Sequence, residues 1–191
     1  MPFPKPGGLK TSVTHSTALI EPLAVAWHAV KRSVKDGATS ALVMGAGPIG
    51  LCVVQALKAH GISTIIAVDT NSSRESVAIQ AGANHFVNPI EQDVAEAARR
   101  ICGTTGGVQI AYDTAGKQVT LDQCVASLCV GGILVNIAIW GGSANIMPND
   151  FALGEKIYMG SAVYTREDFD EVIDAVSSGK ALDNARSHEC Y

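Results

Sequence analysis

The chain has 191 residues, with 14 basic and 18 acidic side chains for a formal charge of −4, and it is 47% hydrophobic but only 17% charged. That apolar fraction excludes long disorder, the lack of a basic stripe argues against a nucleic-acid partner, and no apolar run reaches the ~18 residues of a membrane span. Aromatic residues make up 5% of the chain against 19 glycines, a composition suited to a buried parallel sheet under close-packed helices.

Residues 1–17 are rich in Pro, Gly, Ser and Thr, show no periodicity and read as an extended arm. Pro22 then suits the first turn of a helix, where its missing N–H has no intrahelical partner. Leu23, Trp27 and Val30 recur at i, i+4 and i+7, which predicts an amphipathic helix to about Arg32. From Ser40 the segments alternate. Strands are expected at Ser40–Met44, Thr64–Val68, His85–Asn88, Val108–Tyr112, Gly132–Ile139 and Ile157–Val163. Helices are expected at Pro48–His60, Ser72–Gln80, Glu91–Ile101, Val119–Leu128 and Arg166–Ser177, most of them stopped by a glycine. Strand and helix at this spacing mean parallel strands with crossover helices. The expected fold is therefore a doubly wound α/β sheet of about six parallel strands, of the Rossmann type. It forms a single domain over residues 18–180, followed by a tail at 181–191.

Cys52, Cys102, Cys124, Cys129 and Cys190 make an odd count with no C-x-x-C pair. They read as reduced thiols acting as small hydrophobes, and the start Met1–Gly8 lacks the apolar core of a signal peptide, so the expected compartment is the cytoplasm. His15, His28, His60, His85 and His188 are scattered, with no pair at metal-ligand spacing.

The strongest motif is Gly45-Ala-Gly47-Pro-Ile-Gly50, a G-x-G-x-x-G run after a predicted strand and at the start of a predicted helix. The first glycine permits a sharp turn, the second lets backbone approach a pyrophosphate, and the third lets helix and strand pack closely. The helix N-terminus beyond it offers free N–H groups and partial positive charge. The next strand ends at Asp69, 19 residues after Gly50, where a carboxylate can accept both hydroxyls of an adenosine ribose. Such a carboxylate repels a 2′-phosphate, which favours NAD over NADP. Arg74, five residues on, can cover the adenine, pair with Asp69 or attract a 2′-phosphate; the plain alternative is a solvated surface charge. The competing reading is a glycine-rich β–α turn with no ligand.

With these residues placed, the chain resembles the cofactor domain of the zinc-type medium-chain alcohol dehydrogenases, in the branch of butanediol, sorbitol and threonine dehydrogenases. The resemblance is carried by Ala18-Leu-Ile-Glu-Pro-Leu-Ala-Val25, the glycine loop, Val68-Asp69, Tyr112-Asp-Thr-Ala-Gly116 and Asn136-Ile-Ala-Ile139. It implies that Gly47, Pro48 and Ile49 line the pyrophosphate, that Asp69 holds the ribose under Arg74, and that Ala115 and Gly116 flank the cleft. It also implies that Ile137, Ser161 and Val163 offer backbone groups to the nicotinamide carboxamide; the plain alternative for these three is buried strand.

By the same resemblance the reaction is hydride transfer between a small alcohol or polyol and NAD, with zinc as Lewis acid. The family's main zinc ligands lie in an N-terminal domain, and Met1–Thr17 is too short to be one, so a truncated product that does not bind zinc is the expectation. Glu21 matches a zinc-site acid, although for Glu21 by itself an acid favoured by a helix N-terminus is the commoner explanation. Related domains pair edge to edge through the last strand, which makes the 157–163 edge a candidate homodimer contact. No Tyr-x-x-x-Lys pair, P-loop or G-x-S-x-G elbow is present. The zinc-free quinone reductase branch stays open. Two functions of different class remain: an NAD-dependent oxidoreductase, or a non-catalytic NAD-binding or dimerisation module.

Overall fold

Strands with apolar side chains on both faces must be covered on both, and here helices supply the cover. The computed structural model describes residues 13–103 and 106–178. In chain order the elements are α1 (Val13–Ser33), β1 (Ser40–Met44), α2 (Pro48–Ala59), β2 (Thr64–Val68), a 3₁₀ turn (Ser72–Arg74), α3 (Glu75–Ala81), β3 (His85–Val87), α4 (Val94–Cys102), β4 (Val108–Asp113), α5 (Gln118–Ser127), β5 (Leu128–Asn136), α6 (Pro148–Ala152), β6 (Ile157–Gly160) and α7 (Arg166–Ser177). The six strands form one sheet in the order β3-β2-β1-β4-β5-β6, every pair parallel. This is the doubly wound architecture expected from the sequence.

Alternate strand residues feed two cores. Ala41, Val43, Ile65, Ala67, Ile110, Tyr112, Ile133 and Val135 face α1, α2, α3 and α7. Leu42, Met44, Ile66, Val68, Ala111 and Leu134 face α4 and α5. Buried Tyr112 reaches Ser33 of α1, with the two hydroxyl oxygens 2.6 Å apart. α7 closes the first layer by docking on α1. Its buried Asp168 forms a capping box with Thr165, accepting from the Thr165 N–H at 2.8 Å and its hydroxyl at 2.6 Å. The same Oδ2 lies 2.7 Å from Nδ1 of His28. Beside it Lys31 and the Trp27 indole donate to Glu171 at 2.6 and 2.8 Å.

Several boundaries differ from those expected. The helix expected from Pro22 begins at Val13, so Val13–Thr17 belongs to α1 rather than to the arm, and Pro22 lies inside it. Proline forfeits a rung there, but buried Leu23, Ala24, Ala26 and Trp27 hold the helix on the core. The rest of the arm, the stretch 104–105 and the 181–191 tail lie outside the described residues. Gly131, the glycine that follows the helix expected at Val119–Leu128, does not stop a helix but sits inside β5 at φ +73°. It marks an irregularity at which β5 slips against β4. β5 ends at Asn136, because the N–H groups of Ile137 and Ala138 both turn back to the Asp113 carbonyl. β6 ends at Gly160 rather than Val163: the Ser161 N–H still donates to Asn136, but Val163 adopts φ +56°, which no strand accommodates. The five-residue helix α6 was not foreseen.

Candidate functional site

The order of the sheet reverses between β1 and β4, which is the switch point at which the loops leaving the carboxyl ends of a doubly wound sheet part to form a crevice. After β1, Gly45 takes φ +100° and its N–H donates to the Val68 carbonyl at 2.7 Å. A Cβ at this position would lie 2.8 Å from Thr114 Oγ1. Gly47 caps α2 with extended backbone, and Pro48 follows in the first turn. A Cβ on Gly47 would meet nothing nearer than Nη1 of Arg74 at 4.0 Å, so open space lies above it. A Cβ on Gly50 would sit 1.8 Å from the Gly45 carbonyl oxygen, which is how closely α2 rests on its own loop. Ile49 is half-buried at the head of this helix, whose first N–H groups have no carbonyl one turn earlier to satisfy them.

β2 delivers Asp69 to the same rim. Its Oδ2 accepts from the Ala46 N–H at 2.9 Å and from Nη1 of Arg74 at 2.8 Å; its Oδ1 accepts from the Asn71 N–H at 2.9 Å. Burial resists its charge, but the Asn71 and Ala46 N–H groups and the Arg74 guanidinium outweigh it, so the carboxyl sits below its ordinary range. Of the three roles open to Arg74, the structure adopts the pair with Asp69.

The opposite wall comes from the end of β4, and its key residue was not singled out from the sequence. Asp113 is fully buried. Its Oδ1 accepts from the N–H groups of Ala115 and Gly116 at 3.0 and 3.1 Å and from the Thr120 hydroxyl at 3.1 Å. Its Oδ2 is buried with no protein partner. Thr114 ties the two walls together by donating its hydroxyl to the Met44 carbonyl at 2.8 Å. Gly116 turns at φ +65°, and a Cβ there would press on Ala138 at 3.0 Å. The only trace of Asp113 in the sequence is an acid at a strand end, inside the Tyr112–Gly116 segment.

Ile137 and Ser161 follow the ends of β5 and β6 on the same edge of the sheet. Their N–H groups are spent on Asp113 and Asn136, so of their backbone groups only the carbonyls are left to offer. Ser161 Oγ is buried without a partner. Val163, two residues on, is exposed in the left-handed region, a costly conformation for a β-branched residue and of a kind that gathers at ligand sites.

Glu21 does not join a metal site. It is exposed on α1, and among the described residues no three His, Cys, Asp or Glu side chains converge on a point. The nearby Cys52 thiol is pushed up to about 12 by burial and then by the Glu21 charge, which leaves it protonated and a poor ligand. Also among the described residues, no helix is long and apolar enough to cross a membrane.

Residues 48–178 match the family model of zinc-binding dehydrogenases. The chain is 40% identical over 165 residues to an (R,R)-butanediol dehydrogenase of Saccharomyces cerevisiae, covering 85% of this chain and 43% of that one. Among solved structures, the 2R,3R-butanediol dehydrogenase of Bacillus subtilis superposes with a TM-score of 0.79 at 39% identity, over 86% of this chain and 47% of that one. A Sinorhizobium meliloti protein solved with NADP bound superposes with a TM-score of 0.78 at 31% identity, over 87% and 49%. The chain thus spans less than half the length of the curated relatives it matches.

Proposed function

Because this chain belongs to the zinc-binding dehydrogenases, we propose that its crevice binds NAD and that it is an NAD-dependent oxidoreductase. The substrate is a small secondary alcohol or polyol, of the butanediol or sorbitol kind, oxidised to the ketone. The observation that carries this reading is the join of glycine loop and acid: Ala46, inside the loop, donates to Asp69 at 2.9 Å, so a phosphate cradle and a ribose acceptor share one rim.

In this reading Gly45 and Gly47 keep the loop free of side chains, while Pro48, Ile49 and Gly50 present the head of α2 to the pyrophosphate. Asp69 accepts the adenosine ribose hydroxyls beneath Arg74. Ala115 and Gly116, held by Asp113, form the far wall, and the backbone of Ile137, Ser161 and Val163 receives the carboxamide. A bound nicotinamide would supply the hydride acceptor, and oxidation of the alcohol to the ketone would release its hydroxyl proton to solvent. The relatives' names support the substrate class, and the neighbour solved with NADP supports a nicotinamide cofactor. Among the described residues no two other ligand-type side chains gather around Glu21, which by itself does not fit a zinc site.

The exposed apolar side chains of β6 at the outer edge of the sheet favour a second reading: a non-catalytic NAD-binding module that dimerises through the β6 edge. Calorimetric titration of NAD, followed by assay of 2,3-butanediol and sorbitol oxidation with added zinc, separates the two. Turnover supports the enzyme. Stoichiometric binding without turnover leaves the module, and no binding removes both. Asp69→Ala weakens NAD by about 1–3 kcal/mol, the worth of hydrogen bonds to a charged acceptor; unchanged affinity would misplace the ribose.

A further inference from the structure

Two acids stand on the rim of the crevice, and only one of them is paired. Asp69 meets Arg74, whereas Asp113 has no Lys, Arg or His partner among the described residues. Asp113 is fully buried. The N–H groups of Ala115 and Gly116 and the Thr120 hydroxyl all donate to its Oδ1, the pattern of an ionised group that only accepts. Oδ2 is buried with no protein partner; a proton on it would make a buried donor with nothing to accept it. Water at Oδ2 would solvate the oxygen and leave the charge in place. The titratable neighbours do not cancel it either. Burial and then the Asp113 charge push the Cys124 thiol and the Tyr158 phenol up, so both stay neutral. A lone buried carboxylate is costly and calls for an explanation.

Its place in the sheet decides what that charge meets. The side chain holds Ala115 and Gly116, and the main-chain carbonyl accepts from the N–H groups of Ile137 and Ala138 at 3.0 and 3.1 Å. Asn136, opposite Asp113 in the ladder, accepts from the Ser161 N–H. Asp113 therefore sits directly beneath the stretches that the reading above assigns to the nicotinamide end of the cofactor. Tyr158, which feels its charge, lies two strands away on β6, so the field runs under this whole end of the crevice.

We propose that Asp113 biases the crevice toward the oxidised cofactor, because its unpaired charge attracts a cationic nicotinamide ring and has no such hold on the neutral, reduced one. The proposal rests on the reading that the crevice binds NAD. Coulombic attraction is far stronger beside a buried charge than in bulk water. Acting on one of two states, it changes the ratio of their affinities and not the affinity they share.

The test is calorimetric titration of oxidised NAD, NADH and ADP-ribose into the wild-type chain, Asp113→Asn and Asp113→Glu, with a chelator present throughout. Asp113→Asn keeps an acceptor oxygen for Ala115, Gly116 and Thr120 and removes the charge. It shifts the ratio of affinities against oxidised NAD by about three- to tenfold and leaves ADP-ribose, which lacks the ring, within about twofold of wild type. Asp113→Glu retains the charge and keeps the ratio near the wild-type value, even where overall affinity falls. Should Asp113→Asn not fold, the wild type alone decides, through a neutral isostere of NAD in which carbon replaces the ring nitrogen at the glycosidic bond. Oxidised NAD binds about threefold or more tighter than this isostere if the charge acts as proposed. If Asp113→Asn weakens oxidised NAD and NADH equally, or the isostere binds as well as NAD, Asp113 only shapes the wall and the proposal fails while the dinucleotide reading stands. If the wild type binds neither NAD nor ADP-ribose, both fall together.

Discussion

Asp168 shows what one buried carboxylate does for this molecule. Burial works against its charge, but the Thr165 hydroxyl and N–H and the His28 ring outweigh it and hold the carboxyl at about 2, from an ordinary 3.8. A depressed folded value means that the stabilisation is fully present above the unfolded value and is lost as pH falls through the folded one. Other groups face it as well: Lys31 Nζ lies 3.6 Å from its Oδ1, and Glu171 and Glu167 share that lysine. The attachment of α7 to α1 is therefore expected to weaken between about pH 4 and pH 2. Denaturant midpoints measured across that range fall steeply in the wild type. Asp168→Asn is less stable at neutral pH and shows a shallower acid decline, because the group that titrates is gone. Equal slopes for the two proteins would assign the acid sensitivity to other carboxylates.

At the scale of elements, the contact of α2 with its own loop is the tightest joint near the site. Gly50→Ala drives a methyl into the Gly45 carbonyl, 1.8 Å away. Helix and loop must part, at a cost of about 1–3 kcal/mol or more for overpacking, and the cradle loses its shape. Thermal unfolding should show the loss of stability, and titration the loss of NAD binding beyond what stability explains; a variant as stable as wild type would mean that the loop yields freely.

This joint was legible in the sequence because glycine records backbone constraint directly, as was Asp69 because a strand end fixes its place. The cores of the longer helices and strands were legible from periodicity. What was not legible turns on backbone conformation or on a single hydrogen bond. Val163 is apolar and β-branched and reads as strand, yet it sits at φ +56°. Gly131 reads as a helix stop, yet it bends β5. Pro22 reads as a helix start, yet burial of its neighbours carries α1 through it. α6 spans five residues with none buried, too short for a periodic signal. Asp113 works by accepting the N–H groups of the two residues after its neighbour Thr114, an arrangement that spacing does not encode.

At the scale of the molecule, the sheet is asymmetric at its ends. β3 is short, whereas β6 presents Ile157 and Tyr158, 44% and 43% exposed, along an edge that no other strand pairs with among the described residues. Leu153, in the turn that leads into β6, is 85% exposed. Backbone donors and acceptors along such an edge seek a partner strand, and apolar side chains clustered beside it add area that water disfavours. A second copy of the same edge, related by a two-fold axis, offers both at once, because an isologous contact presents the same residues from each side. Tyr158 is the place to test this. It is exposed enough for a substitution to spare the core, and it lies on the strand that would pair. Tyr158→Lys sets like charges against each other across the axis and should weaken self-association by about 1–3 kcal/mol, within the range of an interface hot spot. Sedimentation equilibrium over a range of concentrations reads this directly. A concentration-dependent dimer in the wild type and a monomer in the variant, with NAD affinity equal in both, would place the contact at β6 and separate it from the cofactor crevice. A wild type that stays monomeric throughout would remove edge pairing as an explanation for the exposed face.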